Sequence, residues 1–427
     1  MWSTFFQKGA SRIMTNGDVY RFRQLLKGVE VIDIASFGSA ISPEYLINLL
    51  SEASWNGFSS TKYGFIASSL PGAGWCGGFN TLITSRNVDW VIGGFFGTVE
   101  RINTSIENNS IEVHNIPQGV ASMLLTQENR SLKTSIGRGT FLDPVSRGTL
   151  INANYSGRLS VSKRVDNKIE YHLPNSDLIL VRGSGLTEMG SIVIETDPID
   201  LDIERCIRSA KARGAKVVVQ TPNTIIPNPT VTCSLDLFDG VFTPPKGLHQ
   251  IGYFPPRYHQ SYHNLTRTCD VSYRISKGLH ERIERDEALI VGIGLPVPAI
   301  NHLRKSHSRM PFKAFVESGM TGQVLYDGDG FGLCSNGKNT LSQRDIFQKI
   351  WDGDINHAVL GAGDIDANGN IHVAQLGRKF FGVGGFVDIS QSVKKLTFCH
   401  RKKAAADDLS DISYQYDPSQ DVRFITG

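Results

Sequence analysis

Asp177-Leu-Ile-Leu-Val-Arg-Gly-Ser-Gly185, followed some thirty residues later by Lys216-Val-Val-Val-Gln220, decides the fold class. The run from Asp177 to Val181 is continuously apolar after its first residue, as expected of a strand buried on both faces. Gly183 and Gly185 turn the chain, and Ile203, Cys206, Ile207 and Ala210 then recur at helical spacing. Gly214 ends that helix, and Lys216 to Gln220 is the next strand. Strand, helix and strand in this order make a parallel βαβ unit.

The same habit recurs at both ends of the chain. Val29 to Ile34 reads as a strand, Phe37-Gly38-Ser39 as a turn and Pro43 to Leu50 as a helix with Leu46, Leu49 and Leu50 on one face. Further on, Leu289 to Val291 is a strand, Gly292-Ile-Gly294 a turn, and Pro296 opens a helix carrying Ile300 and Leu303. The pattern predicts an α/β protein of two similar, open, mostly parallel-sheet domains. Pro222 to Thr268, rich in Pro, Tyr and His, reads as the connection between them. The boundary is placed near residue 270, giving domains 1–269 and 270–427.

Composition narrows the function. Among 427 residues, Lys and Arg number 44 against 41 Asp and Glu, interleaved along the chain, so neither a nucleic-acid nor a membrane footprint is expected. The basic run His400-Arg-Lys-Lys403 is short and soon followed by Asp407 and Asp408. Six widely spaced cysteines offer no CxxC pair and no zinc spacing, and read as reduced thiols. The first residues carry Lys8 and Arg12 and no acid before Asp18, a faint likeness to a transit peptide. With no apolar run long enough for a signal peptide or a span, a cytoplasmic location is expected.

Three segments could carry chemistry. In Phe315-Val-Glu-Ser-Gly-Met-Thr-Gly322 a carboxylate, Glu317, ends an apolar β run, the position at which open α/β sheets place ligands. Taken alone, such a glutamate is most often a solvated turn residue. Gly382-Val-Gly-Gly-Phe-Val-Asp388 sets three glycines against an apolar strand, where backbone can approach a ligand and aim N–H groups at an oxyanion, or can simply form a bulge. In Asn115-Ile-Pro-Gln-Gly119, ahead of a helix carrying Met123 and Leu124, Gln118 could hold a substrate carboxylate, or be an ordinary polar loop residue.

In this order the segments resemble the family I coenzyme A transferases, and in particular the fused single-chain type acting on acetate, propionate or acetoacetate. Val91-Ile-Gly-Gly-Phe-Phe-Gly97, Ile116 to Gly119, Ile136-Gly-Arg-Gly-Thr-Phe-Leu-Asp-Pro144 and Asp177 to Gly190 resemble the family's α part. Gly292-Ile-Gly-Leu-Pro296, Val316 to Gly319, Asp364-Ile-Asp-Ala-Asn-Gly369 and Gly384 to Ser390 resemble its β part, so that nearly the whole chain is covered. The resemblance implies an enzyme whose nucleophile is Glu317, carried by the C-terminal domain. Gly384 and Gly385 would stand beside an oxyanion and Gln118 would hold a substrate carboxylate. CoA would bind mainly through the C-terminal domain, at the strand-end turns containing Gly292, Gly294, Gly384 and Gly385. It further implies acyl-CoA and carboxylic acid substrates, CoA as substrate rather than resident cofactor, no metal, and a homodimer or homotetramer. Two other activities fit the same residues: acyl-CoA hydrolysis, if water resolves the intermediate, and CoA binding without catalysis. The chain departs from the family pattern at Gln323, at Ile350-Trp-Asp-Gly-Asp-Ile355 and at Ala35-Ser-Phe-Gly-Ser39, each where glycine is usual, and the loop Tyr326-Asp-Gly-Asp-Gly330 is unusually acidic. These changes bear on the acyl pocket.

Overall fold

The computed structural model describes residues 15–55, 60–152, 157–194, 198–229, 231–249, 270–306, 311–339, 341–366, 369–401 and 419–426. The transit-like N-terminal residues through 14, Pro255 and Pro256 of the expected connection, and Lys402 with Lys403 lie outside them.

Apolar runs make most of the strands of a seven-stranded sheet, and even the polar Glu112–Asn115 is buried within it. Its members are β1 (Val31–Ile34), β2 (Tyr63–Ser69), β3 (Val88–Phe95), β4 (Glu112–Asn115), β5 (Leu178–Arg182), β6 (Lys216–Gln220) and β7 (Gly240–Phe242), in the order β7-β6-β5-β1-β2-β3-β4. Every neighbouring pair is parallel. The helix read between β5 and β6 spans Ile203–Ala212 and buries Cys206, Ile207 and Ala210, the residues that set its spacing. One charge interrupts the central strand: Asp33 of β1 is buried, and Arg130 bonds both its carboxylate oxygens at 3.0 Å. A paired fork of this kind is how a buried carboxylate is kept tolerable.

The second sheet contains β8 (Ala288–Val291), β9 (Lys313–Phe315), β10 (Met320–Thr321), β11 (Lys338–Asn339), β12 (His357–Gly361), β13 (Lys395–His400) and β14 (Asp421–Thr426), ordered β11-β10-β9-β8-β12-β13-β14. It is parallel from β9 to β14, and antiparallel where β10 meets β9 and β11. The first sheet draws only on residues 31–242 and the second only on 288–426. The expected boundary near 270 adjoins the undescribed stretch 250–269 and stands as a proposal.

Strand order reverses once in each sheet. In the first, β1 runs on to β2 on one side while β5, β6 and β7 build the other; in the second, β8 and β12 flank the reversal. Open α/β sheets leave a crevice at the carboxyl ends of the strands at such a point. The turns that follow β1, β8 and β12 all line one cavity of about 590 Å³ between the two sheets. No helix among the described residues is long and apolar enough to cross a membrane.

Candidate functional site

Glu317 enters the cavity because its backbone cannot continue as a strand. β9 ends at Phe315, the Gly319 N–H bonds Val316 O at 2.8 Å, and the Val316 N–H bonds Met320 O at 3.0 Å, so Glu317 rides the turn between two antiparallel strands. Gly319 makes this turn with φ +84°, and a Cβ there would lie 2.1 Å from Leu341 O. Only glycine satisfies both constraints. The Ser318 hydroxyl, donating to Gly332 O at 2.6 Å, fixes the other flank.

The carboxylate of Glu317 is buried, and the Gly385 N–H donates to its Oε2 at 3.2 Å. Burial raises its pKa to about 7, the single backbone N–H pulling weakly the other way. Space for this contact exists only because residue 385 lacks a side chain: a Cβ would sit 2.9 Å from Glu317 Cδ and 2.9 Å from Phe347 Cε1. A Cβ on Gly384 would lie 3.7 Å from Gln118 Oε1 and 3.9 Å from Glu317 Oε2, so the residues expected at one site do converge. Gln118 is buried, and its Nε2 has no hydrogen-bond partner among the described residues. An amide donor in that condition is costly unless something arrives to accept from it.

The segment carrying Gly384 is held by the first sheet. Phe96 N–H donates to Phe381 O at 2.7 Å, Gly384 N–H to Gly94 O at 2.9 Å, and Gln118 N–H to Gly384 O at 2.9 Å. Asn115, at the end of β4, accepts from Val383 N–H at 3.0 Å through Oδ1 while its Nδ2 donates to Gly93 O and Gly94 O. Gly292 and Gly294 line the same cavity on the opposite wall, just beyond β8.

One sequence expectation is corrected. Gly384 and Gly385 do not sit at a strand end against an apolar strand: Phe386–Ser390 is a short helix, and Gly385 is its N-cap. All five of its residues are buried, so no polar face revealed the helical period. Three helices pack against one another here: α1 (Gln118–Leu125), α2 (Gln343–Trp351) and α3 (Phe386–Ser390).

Sequence reasoning gave Asp388 no role. It is fully buried on α3, and its Oδ2 accepts from the Gly119 N–H at 3.0 Å, at the start of α1. Burial holds its carboxyl well above the usual range, the Gly119 bond opposes this, and the neighbouring Glu317 charge adds to it. The only hint in the sequence was an acid embedded in an apolar run. No group of three or more His, Cys, Asp or Glu placed to hold a metal occurs among the described residues.

Two open α/β halves, their sheet reversals facing each other across a buried glutamate, make a fold of the CoA-transferase type, and the chain is similar in sequence to proteins named as CoA-transferases. Among its relatives, acetate CoA-transferase YdiF of Escherichia coli K12 is 26% identical over 342 residues, covering 75% of this chain and 64% of that protein. Caffeate CoA-transferase of Acetobacterium woodii is 25% identical over 327 residues, 71% of this chain and 62% of its own. The matched stretch thus spans a little under two thirds of those relatives. The crystal structure of acyl-CoA transferase YdiF from E. coli O157:H7, a thioester complex with CoA, superposes with a TM-score of 0.76 over 95% of this chain and 85% of that one, at 20% identity. No family model matches the chain.

Proposed function

We propose that this chain transfers CoA from an acyl-CoA to a carboxylic acid through a glutamyl-CoA thioester on Glu317. The reading rests on one observation above the others: a carboxylate buried in the cavity between the two sheets, with a backbone N–H at one oxygen and an unpartnered amide nearby.

The ionised Glu317 oxygen attacks the thioester carbonyl, and the resulting tetrahedral oxyanion expels CoA thiolate to leave an acyl-glutamyl anhydride. The thiolate then attacks Glu317 Cδ, releasing the donor acid as its carboxylate and leaving glutamyl-CoA. An acceptor carboxylate attacks the same carbon, CoA thiolate departs, and its return to the new acyl carbon frees Glu317. In this scheme the Gly385 N–H stands by the oxyanion at Cδ, Gln118 Nε2 donates to the substrate carboxylate, and the turns at Gly292 and Gly294 receive CoA. A pKa of about 7 suits a group that must be both a nucleophile and a leaving group near neutrality.

The relatives are named for two unlike acids, acetate and caffeate, so neither name settles the acid handled here. The test is mass spectrometry of the intact protein after incubation with several acyl-CoAs. A CoA adduct in thioester linkage to Glu317, absent from Glu317→Ala, is expected, together with ping-pong kinetics. CoA release without any acceptor acid would show hydrolysis instead, and full turnover by Glu317→Ala would dispose of the mechanism.

A further inference from the structure

The two walls of the cavity differ in chemistry. One comes from turns of the second sheet, after β8, β12 and β13, and is largely glycine and aliphatic, with Arg401 exposed at its end. The other comes from the carboxyl edge of the first sheet, after β1, β2 and β3, with the segment that docks on it. On this second wall stand Phe37, Phe95 and Phe381, with Phe331 beside them from the acidic loop. Phe95, Phe331 and Phe381 are each only half-buried although most phenylalanines of the core are fully enclosed. Gly97 lets two of them converge: a Cβ there would meet Phe95 Cζ at 2.6 Å and Phe381 Cδ1 at 2.9 Å. Phe95 reaches towards the reacting end, its Cδ2 lying 3.6 Å from where a Cβ on Gly384 would stand.

Two of the polar side chains on this wall are already committed. The Ser39 hydroxyl donates to Asp329 O at 2.6 Å, and that of Thr98 to Leu70 O at 2.9 Å. Besides Glu317, the ionisable group lining this side is Asp329, an acid. A second carboxylate on a substrate lying along this wall would therefore be desolvated beside a like charge at the rim, while Arg401, the cation among the lining residues, stands on the other wall.

We propose that the acid exchanged at this site is a monocarboxylic acid with a bulky, preferably aromatic, apolar body, bound with its carboxylate at Gln118 and its body against Phe95 and Phe381. Offset or edge contacts between aryl rings add to the area they bury. The proposal rests on the transferase reading only for which end of the cavity takes the carboxylate. Burying one such ring is worth roughly 10- to 100-fold in affinity.

Calorimetric titration of the intact protein with 3-phenylpropanoate, acetate and succinate tests this without requiring turnover. Binding of 3-phenylpropanoate at least about tenfold tighter than acetate, with succinate no tighter than acetate, is the expected result. Phe381→Leu, which keeps the site apolar but removes the ring, should reduce the phenylpropanoate-to-acetate ratio about threefold or more. A ratio below tenfold, succinate as the tightest ligand, or a ratio indifferent to Phe381→Leu would each overturn the assignment. Adduct formation on Glu317, followed on the same preparations, separates the two ideas. Preference without an adduct would keep the pocket and remove the chemistry, whereas an adduct without preference would do the reverse.

Discussion

Glu317 is held in a place that favours its neutral form. Its carboxyl titrates near 4.5 when free of the fold and near 7 within it, burial being the main cause. A raised carboxyl pKa means that the folded state binds the proton more tightly than the unfolded chain. Its contribution to stability is therefore fully present below about pH 4.5 and is lost as the pH climbs through 7. At pH 8 the ionised group costs about 3 kcal/mol. Glu317→Gln removes that cost. Its denaturation midpoint is expected to match the parent protein near pH 4 and to exceed it increasingly up to pH 8, while the CoA adduct disappears. On the proposed mechanism the carboxylate is the attacking form, so in the parent protein the rate of adduct formation should rise with pH and level off above about 7. A rate independent of pH between 5 and 8 would contradict a nucleophile in this environment.

The neighbouring glycine makes a sharper claim. Gly385 has φ −85°, a conformation open to any residue, so nothing in the backbone demands glycine there. The requirement is steric, from Glu317 Cδ and Phe347 Cε1 at 2.9 Å. Gly385→Ala should fold, yet push the carboxylate off its N–H and lower turnover roughly 100- to 1000-fold, the loss typical of removing one oxyanion donor. Steady-state kinetics beside a thermal melt would show whether the two effects separate in this way.

Among the elements, the one carrying most of the site's alignment is α3, small as it is. Through Asp388 it satisfies the first amide of α1 after Gln118, and so ties the orientation of Gln118 to the same segment that supplies the Gly385 N–H. Burial pushes the Asp388 carboxyl up, which favours its neutral form, and an amide oxygen can serve the Gly119 N–H as a carboxyl oxygen does. Asp388→Asn should therefore cost little, whereas Asp388→Ala leaves a buried N–H unsatisfied and should destabilise by about 1–3 kcal/mol. Urea midpoints of the two variants decide the matter, equal losses arguing for an ionised aspartate. The same element marks where sequence stops being legible. β6 runs from Lys216 to Gln220 as its composition dictates, and the helix before it buries its marked face, because each has one face or run that differs from the rest. α3 is only five residues long and buried on every side, so period alone could not tell it from a strand. Glu317 was readable as the end of a β run, but not its burial or its partner. These depend on a chain segment 68 residues further on, set in place by the other half of the molecule.

At the scale of the whole chain, the site is a property of the contact between two sheets. Glu317 is carried by the second, Gln118 follows the end of β4 in the first, and the 381–385 segment crosses from one to the other. Asn115 is the pivot of that crossing. It is fully buried, its Nδ2 donating to Gly93 O at 2.9 Å and Gly94 O at 2.8 Å and its Oδ1 accepting from Val383 N–H. Gly384 N–H also bonds Gly94 O, so the Asn115 side chain and the 381–385 segment converge on one carbonyl. A side chain that only filled space here could be exchanged for an apolar one of similar size, and Asn115→Leu would then be nearly silent. Because it serves backbone groups of both halves, Asn115→Leu should instead strand a buried amide of Val383 and free the segment that positions Gly385. We expect adduct formation to fall at least about tenfold, with a loss of stability of roughly 1–3 kcal/mol. The informative comparison is with Asn115→Asp, which keeps the acceptor for Val383 but brings a carboxylate against two carbonyl oxygens. If segment docking governs the chemistry, both variants lose activity, and cross-linking between engineered cysteines on the 381–385 segment and the end of β3 restores part of it. Activity left intact in both would mean that the carboxylate is positioned by its own half alone.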